Sequence, residues 1–318
     1  MYCISFSFYG NPTDRQYKTI LFFDNHHIYN VFNIYISSFK QTIRNQFYNK
    51  KIYQEMTVGI FYICTGKYSI FWDSFYHSCE EFFLPDTKKI YYVFTDDEAI
   101  KATTNICRYQ KTAQGFPLDS LLRFDMFEKI ENDTEGCDYL FFFNSNMKFN
   151  SKITENMILP NPCENGLVAV IHPGYVNSNI CLLPYERHKK STAYIKYNSK
   201  ELYQYFMGSL NGGTRKEYYK LIHECNKNVQ EDIKNHVMAL YHDESHLNKY
   251  LHNKNIKKLS PLFAWPEDTP SAETPKIIIQ NKAKHGGKYF DKLPKTSYIK
   301  RGTLILKRLY WAITWKIK

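Results

Sequence analysis

The chain has no C-x-x-C pair and no paired Cys/His spacing; its eight cysteines lie scattered between Cys3 and Cys225. A zinc ribbon and a disulfide framework are thereby excluded, and the thiols read as small core residues in a reducing compartment. No G-x-G-x-x-G occurs, which argues against a dinucleotide dehydrogenase. Long apolar runs are missing too. Asp14, Arg15, Lys18 and Asp24 interrupt the opening segment, and no uncharged span approaches the roughly 20 residues of a membrane helix, so neither a signal peptide nor a transmembrane segment is read. Negative charge is short, with 31 Asp and Glu against 42 Lys and Arg, for a net charge of +11. That balance suits an anionic partner such as a nucleotide, a nucleic acid or an acidic membrane surface. No RNA-binding motif or base-stacking sequence accompanies it, so nucleic acid is not expected. The abundance of Lys, Asn, Ile, Tyr and Phe suggests an AT-rich bacterial genome and a cytoplasmic protein.

What is present centres on Asp138 to Phe149. The run Tyr139-Leu140-Phe141-Phe142-Phe143, stopped by Asn144-Ser145-Asn146, reads as a strand buried on both faces whose carboxyl end opens into a polar site. In open α/β sheets ligands bind at that end. Nucleotide-sugar transferases place a D-x-D there, where two carboxylates hold a divalent cation against a diphosphate. Here both acids are amides, poor ligands for a hard cation, so the site is read as keeping the diphosphate contact without a metal; on its own the tripeptide reads first as a polar turn, and the rest of the chain overturns that.

Other segments surround this strand. Thr57 to Cys64 and Ile90 to Thr95 read as buried strands, and Ile70 to Phe83 as a helix with Phe71, Phe75, Ser78 and Phe82 on one face. Lys67 and Tyr68 stand at the mouth of the first strand, where a flat aromatic can stack on a uracil ring or simply form a loop. Asp96-Asp97 binds a ribose or caps a helix, the second being the safer reading. Leu118 to Ile130 reads as one amphipathic helix carrying Arg123 among apolar neighbours. This alternation points to an α/β fold with a parallel, Rossmann-like sheet. Gly166 to Ile171 is a further strand, ending at His172. The small residues of Met207-Gly208-Ser209 to Gly213 would let a backbone approach a ligand closely, and Glu217 to Ile233 is a helix. His242-Asp243-Glu244-Ser245-His246 opens another; the two histidines lack the Glu placement of a zinc protease, so two acids with distinct roles are favoured over a metal, with a plain helix start as the bland alternative. The segment around Lys282 and Lys284 is basic and could fold over a diphosphate. Residues 299–318 place Ile305, Leu306, Leu309, Tyr310 and Ile313 on one arc and Lys and Arg on the other, an interfacial helix for an anionic leaflet, or else a face packed on the domain.

Together these blocks resemble glycosyltransferase family 6, the family of the histo-blood-group A and B transferases and α-1,3-galactosyltransferases, and most closely its bacterial members. The matching stretches are FYICTGKY at 61–68, YYVFTD at 91–96, LRF at 122–124, DYLFFFNSN at 138–146, HPGY at 172–175, ERHKKSTAYI at 186–195, GSLNGG at 208–213 and HDESHLNKYL at 242–251. The resemblance implies a GT-A type α/β fold, a Rossmann-like mixed sheet flanked by helices, over residues 57–290. Residues 1–56 read as an extension or a mis-called start ahead of a true start near Met56, and 291–318 as a basic tail. It implies retaining transfer of galactose, or N-acetylgalactosamine, from a UDP-sugar to the 3-hydroxyl of an acceptor galactose. By position, Ile63, Thr65 and Tyr68 would line the uridine pocket. Asn144, Ser145, Asn146, Lys282 and Lys284 would face the diphosphate, and Arg123 and Asp243 the donor sugar. His172 and Tyr241 would touch the acceptor, and Glu244 would be the catalytic carboxylate. Met207-Gly208-Ser209 is the donor-selecting triplet, and the bulk of Ser209 favours UDP-galactose. No metal or other cofactor is expected; the partners are a UDP-sugar, a galactose-containing, fucosylated glycan and, through residues 299–318, the inner face of the membrane. A carbohydrate-binding module without activity is the competing class.

Overall fold

A computed structural model describes residues 2–5, 20–23 and 56–286 together with residues 290, 306 and 310. The chain divides into two compact units, Met1–Glu55 and Met56–Lys318. In the first, β1 (Tyr2–Ser5) pairs antiparallel with β2 (Ile20–Phe23). The stretch Ile28 to Ile36, strand-like in sequence, the His26-His27 pair, which reads as a surface pair, and nearly all of the 299–318 helix lie outside the described residues.

The second unit is built on a seven-stranded sheet. Its strands are β3 (Thr57–Ile63), β4 (Lys88–Thr95), β5 (Ile106–Gln110), β6 (Tyr139–Asn144), β8 (Leu167–Ile171), β9 (Phe206–Thr214) and β10 (Lys257–Leu259), in the spatial order β10-β8-β9-β6-β3-β4-β5. A short β7 (Met147–Phe149) belongs to a small second sheet with β11 (Trp265–Pro266) and β12 (Ile277–Ile279). The aromatic runs are strands for a simple reason: successive side chains enter opposite layers. Leu140 and Phe142 join the core on one face with Phe61, Phe127 and Tyr218, while Phe141 and Phe143 join the core on the other with Tyr62 and Phe75. Both faces are covered, so no polar alternation is visible in the sequence.

Helices complete the layers. α1 (Trp72–Phe82) packs on one face; α2 (Leu118–Leu121), α3 (Arg123–Glu128), α5 (Arg215–Lys234) and α6 (His242–Leu251) are gathered toward the other, and α4 (Glu155–Ile158) and α7 (Lys282–Gly286) are short. The single helix expected over Leu118 to Ile130 is broken at Leu122, with φ −90° and ψ 11°. The break turns Arg123 inward beneath Phe142. The sheet is mixed and not wholly parallel, because β9 runs antiparallel to both β6 and β8. Its glycines serve strand packing before any ligand: a Cβ on Gly212 would collide with the Leu140 carbonyl of β6.

Strand order reverses at β3, since β4 and β5 lie on one side and β6 on the other. Ile63 and Asn144 are register partners at the carboxyl ends of β3 and β6. A crevice at such a reversal is where open α/β sheets bind ligands.

Candidate active site

A cavity of about 580 Å³ opens at that reversal. From the sheet ends come Ile63, Thr65, Tyr68 and the tripeptide Asn144, Ser145 and Asn146. From β9 come Met207, Gly208 and Ser209, and from the start of α6 Tyr241, Asp243 and Glu244; Arg123 and Lys282 complete the set. Of the residues expected at the site, His172 and Lys284 are not on this wall. His172 packs near Tyr205, with ring centroids 6.0 Å apart, and its Nδ1 accepts a hydrogen bond from Gly174 N–H at 3.0 Å. Burial pushes the His172 imidazole down to about 4, so the ring is neutral at pH 7. Lys284 pairs instead with Asp268.

The wall at the sheet ends is neutral and anchored to backbone. The Ser145 carbonyl accepts the Tyr62 hydroxyl at 2.8 Å. The Asn146 amide donates to the Gln280 carbonyl at 2.8 Å, and Gln280 N–H returns a bond to the Asn146 carbonyl at 2.8 Å. This double tie carries the chain back over the cavity two residues before Lys282, whose ammonium donates to the Tyr68 hydroxyl at 3.2 Å and stands 4.7 Å from its ring centroid. Asn146 therefore spends its side-chain donor and its backbone carbonyl on structure, leaving its side-chain Oδ1 and the Asn144 carboxamide for a ligand. Asp96 is no helix cap: it accepts from Gly66 N–H at 2.7 Å and from Ala113 N–H at 3.3 Å, binding two loops at the rim.

The other wall is charged. Arg123, only 2% exposed, donates to the Gly208 carbonyl at 2.8 Å and pairs with Asp243 at 2.9 Å. Its Nε and Nη2 are buried without a partner among the described residues, an unmet donor capacity at the cavity that a ligand oxygen would satisfy. The Glu244 carboxylate takes Gly208 N–H on one oxygen at 2.6 Å and the Tyr205 hydroxyl on the other at 2.7 Å. Burial pushes its pKa up to about 7, against the pull of those two donors. Burial likewise raises Asp243, opposed by Arg123. A Cβ on Gly208 would stand 3.3 Å from the Glu244 carboxylate, so glycine is what allows β9 to approach so closely. The first residue of α6 is strained: His242 has φ +50°, a conformation that costs a β-carbon residue on the order of 1 kcal/mol and persists only where its surroundings impose it.

Three contributors were not expected from sequence. Asp119 accepts from Gln114 and Gly115 N–H at 3.0 and 2.8 Å and shapes the loop that presents Phe116 to the cavity. Tyr205 and Asn248 act on Glu244 and β9 from outside the wall. The Gly115-Phe116-Pro117 turn was the only local signal for the first; the other two depend on contacts distant in sequence.

The comparisons agree with this geometry. The sequence model of glycosyltransferase family 6 matches residues 32–287. The chain is 38% identical over 231 residues to the O-antigen biosynthesis glycosyltransferase WbnI of Escherichia coli, covering 71% of this chain and 95% of that protein. It is 30% identical over 228 residues to the histo-blood group ABO system transferase 2 of Rattus norvegicus, covering 66% of this chain and 64% of the relative. Over 240 residues it is 29% identical to the human globoside alpha-1,3-N-acetylgalactosaminyltransferase 1, covering 71% and 67%. With a family match across most of its length, a GT-A-like mixed sheet and a cavity at the strand reversal, the chain belongs to glycosyltransferase family 6.

Proposed function

We propose that this glycosyltransferase moves galactose from UDP-galactose to the 3-hydroxyl of an acceptor galactose, with retention and without a metal ion. The observation that carries the reading is the Glu244 carboxylate at the cavity wall, fixed by Gly208 N–H at 2.6 Å and the Tyr205 hydroxyl at 2.7 Å. A carboxylate so held cannot swing away, and it faces the place where positive charge develops on the sugar as UDP departs, as nucleophile or as electrostatic support. Ile63, Thr65 and Tyr68 form the uridine side. Lys282, one face of it on Tyr68, supplies the positive charge that a cation would otherwise bring to the leaving diphosphate. The amide donor set at Asn144 and Asn146 supports a metal-free site because hard cations favour carboxylate oxygens. Arg123 and Asp243 hold the donor sugar. His172, neutral at pH 7, and Tyr241 lie toward the acceptor side.

Ser209 selects the donor. It is 1% exposed and its hydroxyl lacks a hydrogen-bond partner among the described residues, so its side chain crowds a 2-acetamido group and hydrogen-bonds a 2-hydroxyl. The competing donor is UDP-N-acetylgalactosamine, whose acetamido carbonyl could take the same hydroxyl. Incubation with each UDP-sugar and a fucosylated galactoside in EDTA decides: faster transfer from UDP-galactose under chelation supports the reading, transfer confined to the acetamido donor corrects its specificity, and activity restored only by manganese removes its metal-free part.

The chain acts at the inner face of the membrane through residues 299–318. No helix among the described residues is long and apolar enough to cross a membrane, and Leu306 and Tyr310 are 66% and 65% exposed. Deleting residues 295–318 should release the protein from anionic vesicles; unchanged binding would refute the surface contact.

A further inference from the structure

Asn248 lies one helical turn beyond Glu244 and does not line the cavity. It is 2% exposed, and both ends of its carboxamide are used: Oδ1 accepts from Phe206 N–H at 2.8 Å, and Nδ2 donates to the Phe206 carbonyl at 2.8 Å. Nδ2 also donates to the Glu244 carbonyl at 2.9 Å. One side chain thus pairs with a strand residue as a neighbouring strand would, and does so from a helix. Phe206 is two residues before Gly208, whose N–H holds the Glu244 carboxylate at 2.6 Å. Phe206, Gly208, Glu244 and Asn248 therefore close a ring in which backbone and hydrogen bonds alternate.

We propose that Asn248 is a positioning residue that splices α6 to the entrance of β9 and so sets the Glu244 carboxylate against Gly208 N–H. The inference rests on the reading of Glu244 as the catalytic carboxylate. The chemistry of the splice demands an asparagine. Aspartate has the length but no donor, glutamine has the donor but is longer by a methylene, and leucine fills the space while leaving the two Phe206 backbone groups unpaired. A splice is useful because α6 begins at His242 with a positive φ, a start that its surroundings must hold in place. Within the site, Glu244 is also faced by Tyr205, Asp243 and Arg123, and none of these ties α6 to Phe206.

The test is Asn248→Asp in the full chain, assayed by UDP release from UDP-galactose with a galactoside acceptor, beside calorimetric binding of UDP. The expected result is a fall in kcat of about tenfold or more with donor KM and UDP affinity within about twofold. The acid limb of the kcat profile should move to higher pH, because a carboxylate that loses the Gly208 N–H binds its proton more tightly. In a Glu244→Gln background the same substitution should change kcat by less than about twofold, since the two act as one unit. Should the aspartate variant fail to fold, Asn248→Gln, which keeps donor and acceptor but displaces them, should give the same pattern. An equal loss in both backgrounds would make Asn248 merely structural and overturn the proposal, as would an unaltered kcat and pH profile. Wild-type turnover by Glu244→Gln itself would remove the reading of Glu244, and the positioning role with it.

Discussion

At the carboxyl ends of β3 and β6 the cavity is walled by neutral groups tied to backbone, whereas α3 contributes a buried arginine and α6 a buried aspartate and a glutamate pushed up to about 7. The first wall can be rigid at little electrostatic cost, because amides and carbonyls satisfy each other. The second holds charge out of water, which is costly unless every charge has a partner. The difference separates two tasks. On the proposed reading, a neutral wall with one lysine would grip a diphosphate whose charge does not change much on binding. On the same reading, a charged, poorly solvated wall would act where charge develops during reaction, since electrostatic interactions strengthen as water is excluded.

Removing Arg123 should produce the largest effect and test whether the charged wall is one network. Arg123→Ala strands Asp243 as a buried unpaired charge, so urea unfolding should show a loss of about 3–5 kcal/mol along with loss of transfer. A loss below ~1 kcal/mol would mean the pair is better solvated than its 2.9 Å geometry implies. The next effect concerns pH. Because the Glu244 pKa is raised from 4.5 to about 7, the folded state binds its proton more tightly than the unfolded chain. Relative to Glu244→Gln, the wild type is therefore at its most stable below pH 4.5 and loses on the order of 3 kcal/mol as pH rises from 4.5 through about 7. Denaturation of both proteins at several pH values checks this, and a constant difference would contradict it. Turnover should run the other way, rising with pH through about 7 as the carboxylate forms.

On the neutral wall, Asn146→Ala should cost about 1–3 kcal/mol by leaving the Gln280 carbonyl unpaired, and should raise donor KM by loosening the segment that carries Lys282. The smallest change is Lys282→Ala. It should raise donor KM about tenfold, the worth of one charge-assisted contact of about 1.4 kcal/mol, without altering stability detectably, because its contact with Tyr68 is partly exposed. If Lys282→Ala instead lowered stability as much as Arg123→Ala, the division between the walls would collapse.

Much of this arrangement is written locally. β3, β4, β6 and β8 announce themselves as dense apolar runs, and the strand stop at Asn144 marks the ligand end of the sheet. The helix start at His242 to Ser245 and the broken glycine pattern after Met207 mark both acids and the Met207-Gly208-Ser209 triplet, which line one cavity. What escaped reading depends on distant partners. β9 looks like a ligand loop because Gly212 and Gly213 are there for the close approach of Leu140 of β6 and of Gly166 and Leu167 at β8, partners distant in the chain. The bend at Leu122 has no Pro or Gly at it to announce it, and the contacts of Arg123 with Gly208 and Asp243 that go with it lie far along the chain. Tyr205 and Asn248 look like ordinary core residues, since their partners lie 39 and 42 positions away. Lys284 and Lys282 are indistinguishable as sequence, yet Asp268 claims the first and the cavity the second.

The division of labour is tested most directly by measuring UDP affinity and turnover on one preparation of Glu244→Gln. The account predicts UDP binding within about twofold of wild type and a kcat lower by about 10²- to 10³-fold. Turnover preserved, or affinity falling in step with it, would contradict the account.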